Sequence, residues 1–127
     1  MAITNAGAVL AAQCLMNDTP TFLNAANAYL GVGNGNTAFS AAHTDLQGAS
    51  KSRKGMEASY PTRSSGALTF RSVWPSGDGN FEWIEWGCFN AAAAGTMFSR
   101  KVESPSLGTK TSAQAWTLTA TITVAAA

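Results

Sequence analysis

The side chains able to do chemistry are few and scattered. His43 is the sole histidine, and Cys14 and Cys88 lie far apart. A zinc site draws three or four such ligands together at short spacing, and no such set occurs. Nothing near His43 offers a ligand or a triad partner, so it reads as a lone surface residue. Gly31-Val32-Gly33-Asn34-Gly35-Asn36 looks at first like a phosphate loop. The dinucleotide fingerprint needs glycine where Asn36 stands, and the P-loop needs a Gly-Lys-Ser/Thr that is absent. The block therefore reads as a turn, because Asn and Gly both tolerate positive φ.

Glu82 and Glu85 flank Trp83. Paired carboxylates serve glycosidases, but residues three apart on a strand point to opposite faces. If that strand is central, at least one carboxylate needs an internal partner. Arg71 and Arg100, on neighbouring predicted strands, are the candidates, and a structural ion pair is expected. Trp74, Trp83, Trp86 and Trp116 could stack on sugars or bases. Three of them fall within predicted strands and read as core; Trp74, at a strand end before Pro75, is expected to be exposed. Lys51, Arg53 and Lys54 form the one basic cluster. Three charges give little nucleic-acid affinity, so a solvated loop or a salt bridge to a neighbouring subunit is expected. These absences predict no enzyme activity, no metal, no cofactor and no small-molecule substrate.

The elements that must position these residues are mainly β. Residues 4–16 predict a short helix, with Thr4 or Asn5 as N-cap and a loose apolar face of Val9, Leu10, Leu15 and Met16. Asn17-Asp18-Thr19-Pro20 stops it. Residues 28–32 predict a strand, Thr44-Asp45-Leu46-Gln47-Gly48 a helical turn, and residues 37–55 otherwise irregular chain. Residues 68–74, 81–89 and 96–102 predict a three-stranded meander. The middle strand carries large apolar side chains on both faces, which predicts burial on both sides. Residues 116–124 alternate threonine with Trp116, Leu118, Ala120, Ile122 and Val124, so one face goes to the core. The expected core is Phe70, Phe81, Trp83, Trp86, Phe89, Trp116, Leu118 and Ile122. The expected fold is a single domain over residues 1–127, an antiparallel β-sandwich or barrel with one short N-terminal helix.

The chain has 127 residues, the size of one domain, with eight Lys+Arg against seven Asp+Glu and a net charge of +1. That balance argues against nucleic-acid or membrane-surface binding. Charged residues make up 12%, about half the usual roughly 25%. A weakly charged surface of small polar residues suits packing against neighbouring subunits. Two cysteines are too few for a disulfide framework, and free thiols are expected, with a single bridge left open. No run approaches the roughly 20 apolar residues of a membrane span, and no basic leader precedes residues 1–16. Synthesis in the cytoplasm is the expectation.

The order of short motifs resembles a group of small tailed-phage virion proteins. It begins with Ile3-Thr4-Asn5-Ala6-Gly7, Tyr29-Leu30-Gly31-Val32-Gly33-Asn34-Gly35 and Thr44-Asp45-Leu46-Gln47-Gly48. Tyr60-Pro61, Leu68-Thr69-Phe70 and Trp83-Ile84-Glu85-Trp86-Gly87-Cys88-Phe89-Asn90 follow. Arg100-Lys101, Lys110-Thr111 and Trp116-Thr117-Leu118-Thr119 close it. The resemblance implies a structural protein of the virion with no catalytic residues. Its first form is a capsid decoration or cement protein, which as a dimer or trimer binds the major capsid protein outside the head shell. Its second is a tail, tail-collar or tail-fibre component. A more distant class is a carbohydrate-binding or small enzyme domain, which requires an exposed tryptophan cluster in a pocket. The expected partner-contact residues are Ile3, Thr4, Trp74, Lys51, Arg53 and Lys54.

Overall fold

Residues 116–123 form the strand that their alternation requires; Val124, expected on its core face, lies beyond it and is exposed. In the computed structural model, which describes residues 2–126, this strand runs Trp116–Thr123. Its threonines are exposed, while Leu118, Ala120 and Ile122 are buried. In chain order the elements are β1 (Ala2–Ile3), α1 (Asn5–Met16), β2 (Tyr29–Gly33), β3 (Lys51–Gly55), β4 (Thr62–Ser64), β5 (Ala67–Trp74), β6 (Glu85–Phe89), β7 (Met97–Val102) and β8 (Trp116–Thr123). The fold is mainly β, with two antiparallel sheets and one short N-terminal helix. It is sandwich-like and not a closed barrel. One sheet has the order β1-β7-β6-β2-β3 and the other β4-β5-β8.

Between the sheets lie Leu30, Val32, Phe70, Trp74, Trp83, Cys88, Phe98, Leu118, Ala120 and Ile122, with Leu10 of α1 closing one end. Phe81, Trp86 and Trp116 are partly buried and pack against this core. Phe89 belongs to a second cluster, with Leu46 and Met97, on the other face of the five-stranded sheet. β6 is the central strand of that sheet and is covered on both faces, because its alternate side chains feed the two clusters.

Several expectations change. The meander does not form, because β5 pairs with β4 and β8 in one sheet while β6 and β7 pair in the other. The strand expected over residues 81–89 is split. Trp83 pairs with the 107–110 segment, its N–H donating to Gly108 O at 2.8 Å and its carbonyl accepting from Leu107 N–H at 2.8 Å, and the strand in the sheet begins only at Glu85. Trp74 is fully buried rather than exposed, its indole edge-on to Trp83 at 5.0 Å and its Nε1–H donating to Ser52 Oγ at 3.0 Å. The basic cluster forms the strand β3, paired along its whole length with β2. Residues 44–48 form no helical turn; the Gln47 and Gly48 N–H groups serve a buried carboxylate described below, and Leu46 N–H donates to the Asp45 side chain.

The helix begins where a threonine can cap it. Thr4 Oγ1 accepts from Gly7 N–H at 2.9 Å, and its hydroxyl donates to Met97 O at 2.6 Å. Thr4 N–H donates to Phe98 O at 3.1 Å. Thr4 thus joins the helix start to β7 and is itself buried, so it is not available to a partner. Gly7 lets the helix lie against this strand, because a Cβ there would overlap the Phe98 carbonyl. Asn17, in the left-handed region at φ 51°, ends the helix and donates its N–H back into the last turn. Thr4→Ala removes the cap and leaves the Met97 carbonyl without its hydroxyl donor, so denaturant unfolding should show a loss of ~1–3 kcal/mol. Thr4→Ser should restore most of it.

Candidate functional site

Glu85 opens β6 and is completely buried. Its Oε1 accepts from Arg100 Nε at 2.8 Å and Gln47 N–H at 2.8 Å. Its Oε2 accepts from Gly35 N–H at 3.0 Å and Gly48 N–H at 2.6 Å. The turn that resembled a phosphate loop therefore cradles an anion, and the anion is the protein's own carboxylate. Gly35 has to be glycine, since a Cβ would stand 2.6 Å from Glu85 Oε2. Arg100, on β7 and equally buried, donates from Nη2 to Thr37 O at 2.9 Å. Its Nη1 lies 3.4 Å from His43 Nδ1, which also accepts from Ser40 N–H at 3.2 Å. His43 is thus half-buried against Arg100 and not a lone surface residue. Of the two arginines considered, Arg100 is the ion-pair partner; Arg71 instead lies 3.7 Å from Glu57 at the surface.

Glu82 does not share this site. It is exposed and accepts from the Ser106 hydroxyl at 2.9 Å. Glu82 lies outside β6, bridged to Thr109 at the surface, while Glu85 is buried at the start of β6, so the two carboxylates do not converge. Trp83 stacks edge-on with both Trp74 and Trp116, at 5.0 Å each. Its Nε1–H donates to Gly79 O at 2.9 Å, and that of Trp86 to Glu103 Oε1 at 3.1 Å. Neither Glu82 nor Glu85 lines the open groove beside Trp83 and Trp116. Among the described residues, no three His, Cys, Asp or Glu side chains are grouped to hold a metal ion. No helix among the described residues is long and apolar enough to cross a membrane.

The cations of β3 are engaged within the chain. Lys51 and Arg53 reach Asp45 at 2.8 and 3.3 Å, and Lys54 reaches Asp78 at 2.6 Å. Arg53 also lies 3.6 Å over the Phe89 ring and donates to the Ala91 and Ala94 carbonyls. Burial works to raise the Asp45 carboxyl, but the Lys51 ammonium and the Leu46 N–H outweigh it and hold the group below the usual carboxylate range. Of the expected contact residues, Ile3 remains exposed, Thr4 and Trp74 are buried, and Lys51, Arg53 and Lys54 are internally paired.

The structure brings forward a surface that the sequence reading left aside. α1 carries no charged residue, and its apolar side chains are spread around the helix rather than in one stripe. Only Leu10 among its large side chains is fully buried, whereas Val9, Leu15 and Met16 are 60%, 90% and 80% exposed. Beside the helix runs a groove of about 440 Å³ lined by Leu10, Cys14, Leu15, Phe22, Leu68 and Val124. Phe22 and Val124 are exposed as well. The loose apolar face expected of Val9, Leu10, Leu15 and Met16 does not form, and the absence of charge over residues 4–16 is the signal by which this surface could have been found.

Two outcomes follow from this geometry. Glu85→Ala orphans three backbone donors and a buried guanidinium, whereas Arg100→Met leaves the carboxylate its three N–H groups. Breaking a buried pair costs ~3–5 kcal/mol, so Glu85→Ala should reach or exceed that loss in urea unfolding and Arg100→Met should fall short of it. Equal losses would contradict the cradle. Cys88 is buried, and burial pushes its thiol up to about 12 despite a Phe89 N–H that works to lower it. It stays protonated through neutral pH, so a thiol reagent at pH 8 should label Cys14 alone until the protein unfolds. A scan against protein-family models finds no matching family, and a search of curated proteins finds no relative.

Proposed function

We propose that this chain is a non-enzymatic structural subunit that works by binding other protein subunits. The observation that carries this reading is the uncharged apolar groove beside α1, with Leu15, Phe22 and Val124 of its lining open to solvent. Contiguous exposed apolar surface of this kind marks interaction sites. Its lining residues carry no charge, so a partner can cover it without stripping water from ions. The internal use of Glu85, Arg100 and the indole N–H groups supports the same reading, because it leaves those groups to structure.

The resemblance of the motif order to small tailed-phage virion proteins supplies the particle. We propose a capsid decoration or cement protein that sits on the outside of the head shell and holds major capsid subunits together. A Leu15→Glu variant, which places a charge in the groove, tests this. Exposed positions tolerate substitution within ~0.5 kcal/mol, so its melting temperature should stay close to that of the wild type. Added back to capsids lacking the protein, the wild type should bind and raise their resistance to heat, and the variant should do neither. Cys14 in the groove should become protected from thiol reagents on binding. Failure of the wild type to bind capsids, with binding to isolated tails instead, would move the protein to the tail.

A further inference from the structure

A long sheet edge in this fold has none of the usual protection. Exposed edges are normally kept short, charged, bulged or interrupted by proline. β1 has two residues, β4 has three and includes Arg63, and β3 carries Lys51, Arg53 and Lys54. β8 has eight residues, pairs with β5 in an uninterrupted register and, among the described residues, has no strand on its other side. No charged residue and no proline occurs anywhere in residues 111–127.

The ladder shows which backbone groups are free. Val124 N–H donates to Gly66 O at 2.8 Å, in the same register that pairs Ala67 with Thr123. Antiparallel bonds alternate along a strand, so the even-numbered residues of β8 bond to β5. The N–H and C=O groups of Thr117, Thr119, Thr121 and Thr123 therefore point outward. A second feature lies along the same edge. A groove of about 530 Å³ runs beside the first half of β8, lined by Trp83, Leu107, Trp116 and Leu118. Leu107 and Val124 are 44% and 71% exposed.

We propose that β8 is a self-pairing edge: two copies of this chain join antiparallel through β8, about a two-fold axis at Ala120, and fuse their smaller sheets into one. This register places Thr117 opposite the partner's Thr123 and Thr119 opposite the partner's Thr121, so every outward backbone group bonds to its counterpart. It also sets Leu118 beside the partner's Ile122 and Trp116 beside the partner's Val124, on the face that carries the groove. The exposed valine of each copy then covers the groove of the other. An edge bearing Lys51, Arg53 and Lys54 would set like charges against each other in the same arrangement; the uncharged β8 does not. The contact is isologous and closes at two copies; it takes up Val124 and leaves the rest of the α1 groove, Leu15 and Phe22 among it, to a different subunit. This deepens the reading of the chain as an assembling subunit and rests on it, but it is tested separately.

Sedimentation equilibrium of the full chain at micromolar concentrations should give twice the chain mass. Thr121→Pro removes an outward donor and no bond to β5, so it should give a folded monomer. Thr119→Glu/Thr121→Glu and Thr119→Lys/Thr121→Lys should each be monomeric, because like charges face one another across the axis, and an equimolar mixture should recover the dimer. Near-ultraviolet circular dichroism checks that each variant is folded, and recovery on mixing stands as a test even where one variant is weakened. In the wild type, the amides of Thr117, Thr119, Thr121 and Thr123 should be protected from hydrogen exchange. A monomeric wild type would overturn the proposal, and so would a dimer that survives both charge pairs or one dissolved only by Leu15→Glu. Loss of capsid binding with the dimer intact counts against the proposed function alone.

Discussion

The Glu85 carboxylate ties two loops and a neighbouring strand to the start of the central strand. It sits at the start of the central strand, and its oxygens accept from Arg100 on β7 and from the backbone of two loops, at Gly35 and at Gln47 and Gly48. A carboxylate out of contact with water is costly unless every lone pair is used. Here the cost is met by one guanidinium and three backbone N–H groups, so the loops must adopt the conformation that aims those groups inward. The Gln47 and Gly48 N–H groups, committed to Glu85, are then unavailable to a helical turn over residues 44–48.

Much of the remaining architecture is anchored to that arrangement. With the 44–48 segment drawn in, Leu46 covers Phe89 and Met97 and gives the five-stranded sheet a second apolar face. Asp45, on the same segment, reaches Lys51 and Arg53, which keeps β3 against its neighbour. Arg100 carries the network on to Thr37 and His43. On the opposite face of the same sheet, the core is dominated by the edge-stacked Trp74, Trp83 and Trp116. Polar groups organise one side and aromatic packing the other, and the surfaces left open are those with neither: the flank of α1 and the outer edge of β8. Both are uncharged and both suit protein partners, the first through apolar area and the second through unpaired backbone.

Residues 116–124, the helix cap at Thr4 and the strand at 28–32 were legible because each is specified locally. A period-two pattern puts one set of side chains in the core whatever lies opposite it, and a cap needs only a hydroxyl and the next turn. The ion pair was legible in part. The spacing of Glu82 and Glu85 demanded an internal partner for one of them, and Arg100 was among the candidates. The glycine-rich turn was recognised as no nucleotide site, yet the anion it binds could not be read from residues 31–36, because Glu85 is about fifty positions away. The groove beside α1 left a trace in the helix's uncharged composition but was not identified.

The local patterns in the sequence determined a mainly β chain with one short helix, an apolar face on its last strand and a low, balanced charge. Tertiary structure decided which strands pair. β5 joins β8 across more than forty residues instead of the nearer β6, and sheet membership depends on which faces can be buried together rather than on the order of strands. It also decided exposure: Trp74 at a strand end is enclosed by Trp83 and Ser52, while Leu15 on a helix is left in solvent. Burial is set by what packs on a residue from elsewhere in the chain, and local sequence carries the residue's preference but not its neighbours.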